Sequence, residues 1–369
     1  MDHLVTAAEQ FALSGRVLDL REYGQGNVND TFLVTLEAPG EAHFILQRLN
    51  TAVFHRPELV MANLSLVTAH LRRHLASTPL RPGRRWEVPR VLLTQNRRDH
   101  WLDPDGSFWR ALSFIDAAQS FDVIQDVPHA REVGYGLGMF HHLLNDLPAE
   151  QLADTLPGFH ITPGYLQHYD VTLAHQGAPS SPEVNYGLHF VEARRAWGHV
   201  LENAKAQGIL DLRPIHGDPK VNNVMMDQTT GQAVSMIDMD TVKPGLVHYD
   251  IGDCLRSGCN PLGEAPENWE AVRFEPDIGR AILQGYFFMA GDFLTESDYT
   301  YLFAAIRLIA FELGLRFFTD YLAGNVYFKT RYPEQNLLRA LVQFRLTESI
   351  EAQAATLQTI IRDERNAVV

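Results

Sequence analysis

Short apolar runs broken by turn residues fill the first hundred positions, and apolar residues at helical spacing dominate the remainder of the chain. Val17 to Tyr23 and Thr31 to Leu36 are rich in β-branched and large apolar side chains, Ala38-Pro39-Gly40 breaks the chain, and His43 to Leu49 forms a third run. This pattern predicts three strands in meander order. Pro57 then opens a stretch in which Val60, Leu64, Val67, Leu71 and Leu75 recur every three or four residues, which predicts a helix ended by Arg81-Pro82-Gly83. Two further strands are expected at Val88 to Leu93 and Phe108 to Ile115, on either side of the turn Asp103-Pro104-Asp105-Gly106.

From about residue 117 the pattern is mostly helical. Val133, Leu137, Phe140 and Leu144 make one apolar face, and the interleaved Gly134, Gly136 and Gly138 point to a close helix contact, since each glycine costs about 1 kcal/mol relative to alanine. Residues 211–253 interrupt this regime. Asn223 to Met226 and Ala233 to Ile237, joined by Asp227-Gln228-Thr229-Thr230-Gly231, read as a hairpin inside a helical region. A long helix is expected from Ser297 to Leu322, with Leu302, Ile306, Ile309, Leu313 and Phe317 on one face and Gly324 as its stop.

Composition narrows the function classes. The chain has 369 residues, 46% hydrophobic and 21% charged, a folded composition. No apolar run approaches the roughly 18 residues of a membrane span, and Met-Asp-His-Leu-Val-Thr lacks the basic and apolar regions of a signal peptide, so a cytoplasmic protein is expected. Cys254 and Cys259 are too few for a disulfide framework or a structural zinc site and read as reduced thiols. A net charge of -14 argues against a nucleic-acid surface. The lysines are only four, Lys205, Lys220, Lys243 and Lys329, so none precedes position 205.

The chemistry concentrates in Ile215-His216-Gly217-Asp218-Pro219-Lys220-Val221-Asn222-Asn223 and Met236-Ile237-Asp238-Met239-Asp240. Phosphoryl transfer needs a carboxylate to orient and deprotonate the attacking hydroxyl, and oxygen ligands for the Mg2+ carried on the nucleotide phosphates. Asp218, Asn223 and Asp238 supply both if the hairpin folds them together. A second feature, Tyr23-Gly24-Gln25-Gly26-Asn27-Val28-Asn29-Asp30, sets two glycines between strands, where backbone N–H groups can approach phosphates. A strand comes after it and a third glycine is missing, so it is not the dinucleotide fingerprint.

The order of glycine loop, third strand, helix, connecting segment, H-G-D-x-K-x-x-N-N and I-D-M-D resembles the aminoglycoside phosphotransferase and choline kinase superfamily across nearly the whole chain. Within it, Tyr23 to Asn29, Phe44-Ile45-Leu46-Gln47, Trp109-Arg110, Phe159-His160, Thr162-Pro163 and Glu312 to Tyr332 look like stretches of the N-acetylhexosamine 1-kinases. The resemblance implies an α+β, two-lobed protein-kinase-like fold: a small antiparallel-sheet N-lobe over residues 1–113, a hinge at 114–118 and a larger, mainly helical C-lobe at 119–369. It implies an ATP- and Mg2+-dependent kinase of a small-molecule sugar. In that frame Asp218 is the base, Lys220 lies near the transferred phosphate, and Asn223 and Asp238 hold the metal. Gly24, Gly26, Asn27, Val28, Asn29 and Gln47 face the nucleotide phosphates, and Phe114, Ile115 and Asp116 offer backbone to the adenine. His216 and Asp250 brace the catalytic loop, and Arg316 and Tyr327 contact the sugar.

Two departures accompany this likeness. Many kinases of the fold place a lysine where Gln47 stands and a glutamate where Ser65 stands, and the two replacements are mutually consistent, since a glutamate there would have no lysine to orient. Arg48 is a nearby cation, although strand alternation points it to the opposite face. Glu312, Arg316 and Asp320 recur every four residues, so two carboxylates are expected to hold the guanidinium. The adjacent His141 and His142 cannot face one metal together and are expected at the surface or in lobe packing. Three alternatives remain open: a kinase of an aminoglycoside, a choline-like alcohol or another sugar; a metal-dependent phosphohydrolase using His216, Asp218, Asp238, His248 and Asp250; and a silent nucleotide-binding regulator.

Overall fold

The structure is a computed structural model, and it describes residues 2–12, 15–24, 28–37, 42–77 and 80–367. The break at Ala38 to Gly40, together with Gln25, Gly26 and Asn27 of the glycine loop, lies outside the described residues. A short helix α1 (Asp2–Phe11) precedes the meander of β1 (Arg16–Glu22), β2 (Asp30–Glu37) and β3 (His43–Leu49), and α2 (Pro57–Ser77) comes after it. β4 (Val91–Leu92), β5 (Trp101–Leu102), β6 (Phe108–Ser113) and β7 (Ala118–Gln119) come next. Helices α3 (Val127–Leu144), α4 (Thr162–Gln176), α5 (Pro182–Arg194) and α6 (Val200–Ala206) then lead to β8 (Arg213–Ile215), β9 (Val224–Asp227), β10 (Ala233–Met236) and β11 (Lys243–Gly245). The chain ends in α7 (Val247–Gly258), α8 (Pro276–Ala290), α9 (Glu296–Leu322), α10 (Gln335–Ala352) and α11 (Ala354–Asn366).

The first sheet is antiparallel in the order β1-β2-β3-β6-β4, with β5 also paired to β6. One face buries Phe32, Val34, Leu36, Phe44, Leu46, Trp109 and Ala111 against Ala7, Ala8 and Phe11 of α1. That helix is absent from the sequence reading because its apolar stripe is only a few residues long. A helix of ten residues is marginal in water, so it depends on the sheet beneath it. The expected strand at Val88 to Leu93 is reduced to two residues, because Pro89 has no N–H to give to a ladder. Register matters most at the centre: Thr31 stands opposite Gln47, and Gln47 opposite Arg110, so the three side chains share the sheet face away from α1.

The hairpin β9–β10 forms as expected, and β7 adds to it as a third strand, which ties the connecting segment to the site below. α9 begins at a capping box made by Thr295 and Asp298 and runs unbroken to Leu322. The expected helix contact is with α8. A Cβ on Gly134 would meet the Ile282 carbonyl oxygen at 1.9 Å, and one on Gly138 the Tyr286 carbonyl oxygen at 2.7 Å, so the two backbones lie almost in contact. Gly136 faces Val224 of the hairpin instead. α8 answers with Gly285, whose missing Cβ makes room for the Arg131 carbonyl oxygen at 1.9 Å.

His141 is neither a surface residue nor a lobe contact. It is buried on α3 between Tyr286 and Asp250, while the adjacent His142 is half-buried. On the outer side, His70 and His74 of α2 both hydrogen-bond to Asp146, at 2.9 and 3.0 Å, which ties that helix to the end of α3.

Because α3 and α8 touch backbone to backbone, Gly285→Ala should destabilise the protein despite alanine's better helix propensity. Denaturant titration should show a loss of about 1–3 kcal/mol, the scale of overpacking, and unchanged stability would mean that the two helices are not held this close.

Candidate active site

The catalytic loop is shaped by groups that lie beneath it. Asp250 on α7 is fully buried and accepts from the His216 N–H at 2.6 Å, the Gly217 N–H at 2.8 Å and His141 Nε2 at 2.9 Å. Gly217 adopts φ 87°, and a Cβ there would lie 2.7 Å from the Thr241 carbonyl oxygen, so glycine is required on both counts. His216 donates from Nε2 to the Ile237 carbonyl and accepts the Asp218 N–H on Nδ1, and burial pushes its pKa down, consistent with a neutral ring. Asp250 and His216 therefore take the bracing positions that the sequence suggests.

On that loop Asp218 Oδ2 lies 3.0 Å from Lys220 Nζ. Burial raises the Asp218 carboxyl, but the Lys220 ammonium outweighs it and the net displacement is downward. Lys220 is displaced upward by the same carboxylate. Asn223 donates its amide N–H to the Asp218 carbonyl at 2.7 Å, which leaves the amide oxygen as its ligand atom, and the Ile237 N–H returns to the Asn223 carbonyl. Asp238 stands next at φ 61°, a left-handed conformation rare outside glycine and favoured where a site constrains the chain. Its carboxyl is pushed up to about 7 by burial and by the neighbouring Asp240 and Asp218. Lys220 accompanies Asp218 and Arg110 accompanies Asp240, and the side-chain oxygens of Asn223 and Asp238 are of the kind that suits a hard ion such as Mg2+.

The glycine loop meets this cluster through Asn29. Its side chain donates to Asp240 Oδ2 at 2.7 Å and accepts the Asn50 N–H at 2.9 Å, while Gly24 takes φ 77° at the loop entrance and Val28 is exposed. Gly26 and Asn27 lie outside the described residues. Gln47 is engaged with protein rather than open: Nε2 donates to Thr31 Oγ1, and Oε1 accepts both Nε and Nη2 of Arg110 at 3.0 and 2.8 Å. Arg48 points to the other face, as alternation requires, and pairs with Asp30. In the connecting segment the Phe114 ring turns toward Tyr23 and His43, while Ile115 and Ala118 make a small apolar cluster with Met225 and Val234. The Asp116 carbonyl is already taken by Arg85.

The α9 stripe departs from expectation. Neither Glu312 nor Asp320 hydrogen-bonds or ion-pairs with Arg316 among the described residues. Glu312 accepts from Thr162 Oγ1 at 2.6 Å and pairs with His160 Nδ1 at 2.9 Å. Asp320 accepts the N–H groups of Val326, Tyr327 and Phe328 and the Asn336 amide, so it anchors the loop that carries Tyr327. Spacing alone could not separate these roles, because i and i+4 side chains share a face without having to touch. Arg316 instead lies over the rings of Phe159, Tyr165 and Phe328, at 5.1, 5.1 and 5.5 Å. Burial lowers its pKa, but Tyr165, Glu312, Tyr327 and Asp218 together outweigh that and raise it.

His160 belongs to a stretch that carries the family resemblance, yet its type and position in the sequence assign it no role. It is buried at φ 64°, faces the Glu312 carboxylate on one side and donates to the Gly217 carbonyl at 2.8 Å on the other. Both ring nitrogens face acceptors, an arrangement that favours the protonated ring, and although burial lowers its pKa, Glu312 raises it above the ordinary value. Arg110 is likewise without a role in the sequence reading, and it is buried with Nη2 2.5 Å from Asp240 Oδ1.

Known proteins share this arrangement of lobes and loops. The model of the phosphotransferase enzyme family matches residues 19–287. The chain belongs to that family. Among solved structures it is similar to an aminoglycoside phosphotransferase from Alicyclobacillus acidocaldarius, at 13% identity over 97% of this chain and 96% of the other, with a TM-score of 0.63. It is similar to a microcompartment-associated aminopropanol kinase, at 16% identity, 97% and 98% coverage and a TM-score of 0.63. A spectinomycin phosphotransferase solved with ADP and spectinomycin matches at 13% identity, 93% and 94% coverage and a TM-score of 0.54. At these identities the structures establish the shared protein-kinase-like fold. The family is one of phosphotransferases, and no helix among the described residues is long and apolar enough to cross a membrane.

The phosphohydrolase alternative loses its ligand set. His248 gives Nε2 to the Asp298 carbonyl, and His216 and Asp250 are spent on the catalytic-loop backbone. Among the described residues, three or more potential metal-ligating side chains converge only at His70, His74 and Asp146, away from Asp218.

The Asp238 carboxyl is pushed up to about 7, and only its ionised form can serve as a cation ligand. Mg2+ affinity in the presence of ADP should therefore rise with pH through about 7 and level off above it. Calorimetry in buffers of different ionisation enthalpy should detect proton release at about pH 6.5 in the parent protein, and Asp238→Asn should abolish it. A flat profile would mean that Asp238 is ionised throughout.

Proposed function

We propose that the protein is an ATP-dependent kinase that phosphorylates the anomeric hydroxyl of an N-acetylhexosamine. The observation that carries this reading is the approach of Lys220 and Asn223 to Asp218 on one loop, closed by the Ile237 N–H on the Asn223 carbonyl just before Asp238. Asp218 accepts the proton of the sugar hydroxyl. The freed oxygen forms its bond to the γ-phosphorus as the bond from phosphorus to the β–γ bridging oxygen breaks, leaving ADP. Lys220 keeps Asp218 ionised and offers its ammonium to the transferred phosphoryl group. Asn223 and Asp238 would hold Mg2+, whose charge would offset that of the phosphates. The hairpin and Ile115 give an apolar floor for the adenine, whose edge pairs with backbone of the Phe114 to Asp116 segment.

The acceptor site favours a neutral, hydroxylated ring over a cationic aminoglycoside or choline-like alcohol. Arg316 is a cation banked by aromatic rings, and it would repel a second positive charge there. Tyr327, half-exposed on the loop anchored by Asp320, brings a hydrogen-bonding hydroxyl and an apolar ring suited to a sugar face. Discrimination then falls on the acetamido group and ring hydroxyls, since a site built for particular oxygens rejects analogues that leave its polar groups unpaired.

A panel of sugars, aminoglycosides and amino alcohols tested for ATP-dependent phosphorylation, with the phosphate position assigned by NMR, should yield an N-acetylhexosamine 1-phosphate. Turnover of another alcohol alone would overturn the substrate but keep the kinase. Asp218→Asn should lower turnover at least about 100-fold while nucleotide affinity stays within a small factor, and near-normal turnover would remove Asp218 as the base. Arg316→Ala should lower kcat/KM for the sugar by about 1–3 kcal/mol, leave the KM for ATP nearly unchanged, and be only partly rescued by lysine. Equal loss for sugar and ATP would mean that Arg316 supports the fold instead.

A further inference from the structure

We propose that Arg110, on the strand beside the third, is the nucleotide-phosphate cation of the N-terminal sheet, taking the place of a lysine on the third strand, with Gln47 and Asp240 as its positioning residues. The inference rests on the kinase reading proposed for this site. Arg110 projects from the register position opposite Gln47, so its side chain shares the sheet face on which a lysine at 47 would lie. It is 1% exposed, and its Nε and Nη2 are fixed by Gln47 Oε1, with Nη2 also 2.5 Å from Asp240 Oδ1.

What remains is Nη1, which is buried and has no hydrogen-bond partner among the described residues. Asp240 Oδ1 likewise has a charge beside it but no hydrogen bond, because the Arg110 contact is close without being aligned. A buried donor without a partner is costly, so Nη1 is the atom of this guanidinium for which a bound ligand would supply the missing acceptor. An anionic phosphate oxygen suits it, since guanidinium N–H groups match phosphate in a planar fork. The position is right as well: Arg110 Nη2 lies 2.5 Å from Asp240 Oδ1, two residues after Asp238, so the guanidinium borders the carboxylates proposed to face the metal.

The arrangement also gives Gln47 a reason. A lysine at 47 would set two buried cations side by side, whereas the glutamine amide accepts two N–H groups from Arg110 and donates to Thr31. Asp240 supplies the carboxylate partner that α2, with Ser65, does not. Asp240 is itself held by Asn29 of the glycine loop, which links the cation to the strand segment covering the phosphates.

The test compares affinities for ATP, ADP and adenosine, read by calorimetry and saturation-transfer NMR. Arg110→Gln should weaken ATP and ADP by roughly 10- to 100-fold and leave adenosine within about threefold, because only the phosphates lose a partner. Arg110→Lys should regain part of the loss. The double variant Gln47→Lys/Arg110→Gln, which returns a cation to the third strand, should regain more, and it also serves if the single variant fails to fold. Equal weakening of adenosine and ATP, or no recovery in a folded double variant, would show that Arg110 only braces the sheet. Unchanged ADP affinity in Arg110→Gln would overturn the proposal and leave the kinase reading standing. Failure of the parent protein to bind any of the three nucleotides would overturn both.

Discussion

One buried carboxylate underlies the catalytic loop. Asp250 has no solvent access, yet it stays ionised: burial raises its pKa, but His141, His216 and the loop N–H groups reverse that and hold it below the ordinary range. Those N–H groups belong to His216 and Gly217, so the charge that must be satisfied inside α7 sets the backbone path of the residues just before Asp218. Removing the carboxylate would leave two buried N–H groups and the Nε2 of His141 unpaired at once, each costing about 1–3 kcal/mol. The left-handed glycine has its origin in the same constraint, since the chain must turn over Asp250 and pass under Thr241 within one residue.

A second charge reaches the same loop from the acceptor side. Glu312 on α9 pairs with His160, and that ring donates from Nε2 to the Gly217 carbonyl. Gly217 is therefore held on its N–H by one carboxylate and on its carbonyl by another acting through a histidine. His160 thus links the helix carrying Arg316 to the loop carrying Asp218. Asp320, one turn beyond Arg316, extends the same frame to Tyr327 through three backbone N–H groups.

The sequence made the local features legible and left the long-range ones dark. The meander, the hairpin, α2 and α9 can be read from periodicity, and the glycines of α3 point to a close helix contact, because each depends on residues within a few turns of one another. The partner of that contact, α8, could not be read, since nothing in α3 names the helix that fills its groove. The same limit explains the α9 stripe. A spacing of four puts Glu312, Arg316 and Asp320 on one face, but His160, some 150 residues away, and a loop yet to fold compete for the carboxylates. The His216, Gly217 and Asp218 loop was legible because its chemistry is compressed into nine consecutive residues.

Arg110 shows how a site can be complete while its usual signature is missing. A motif search looks for lysine at one strand position, but the cleft needs only a positive charge at a point in space, and paired antiparallel strands offer two routes to it. Opposed residues lie side by side, with Cβ atoms about 5 Å apart, so a longer side chain on β6 reaches the ground that one on β3 would cover. Moving the charge changes its partner, because a guanidinium fixed from β6 faces Asp240 rather than α2. α2 is then free of the pairing and is tied elsewhere: Asn63 reaches the Val242 and Ala153 carbonyls, and His70 and His74 reach Asp146. The missing lysine, the serine on α2 and the aspartate two residues after Asp238 are thus one rearrangement of charge rather than three separate departures.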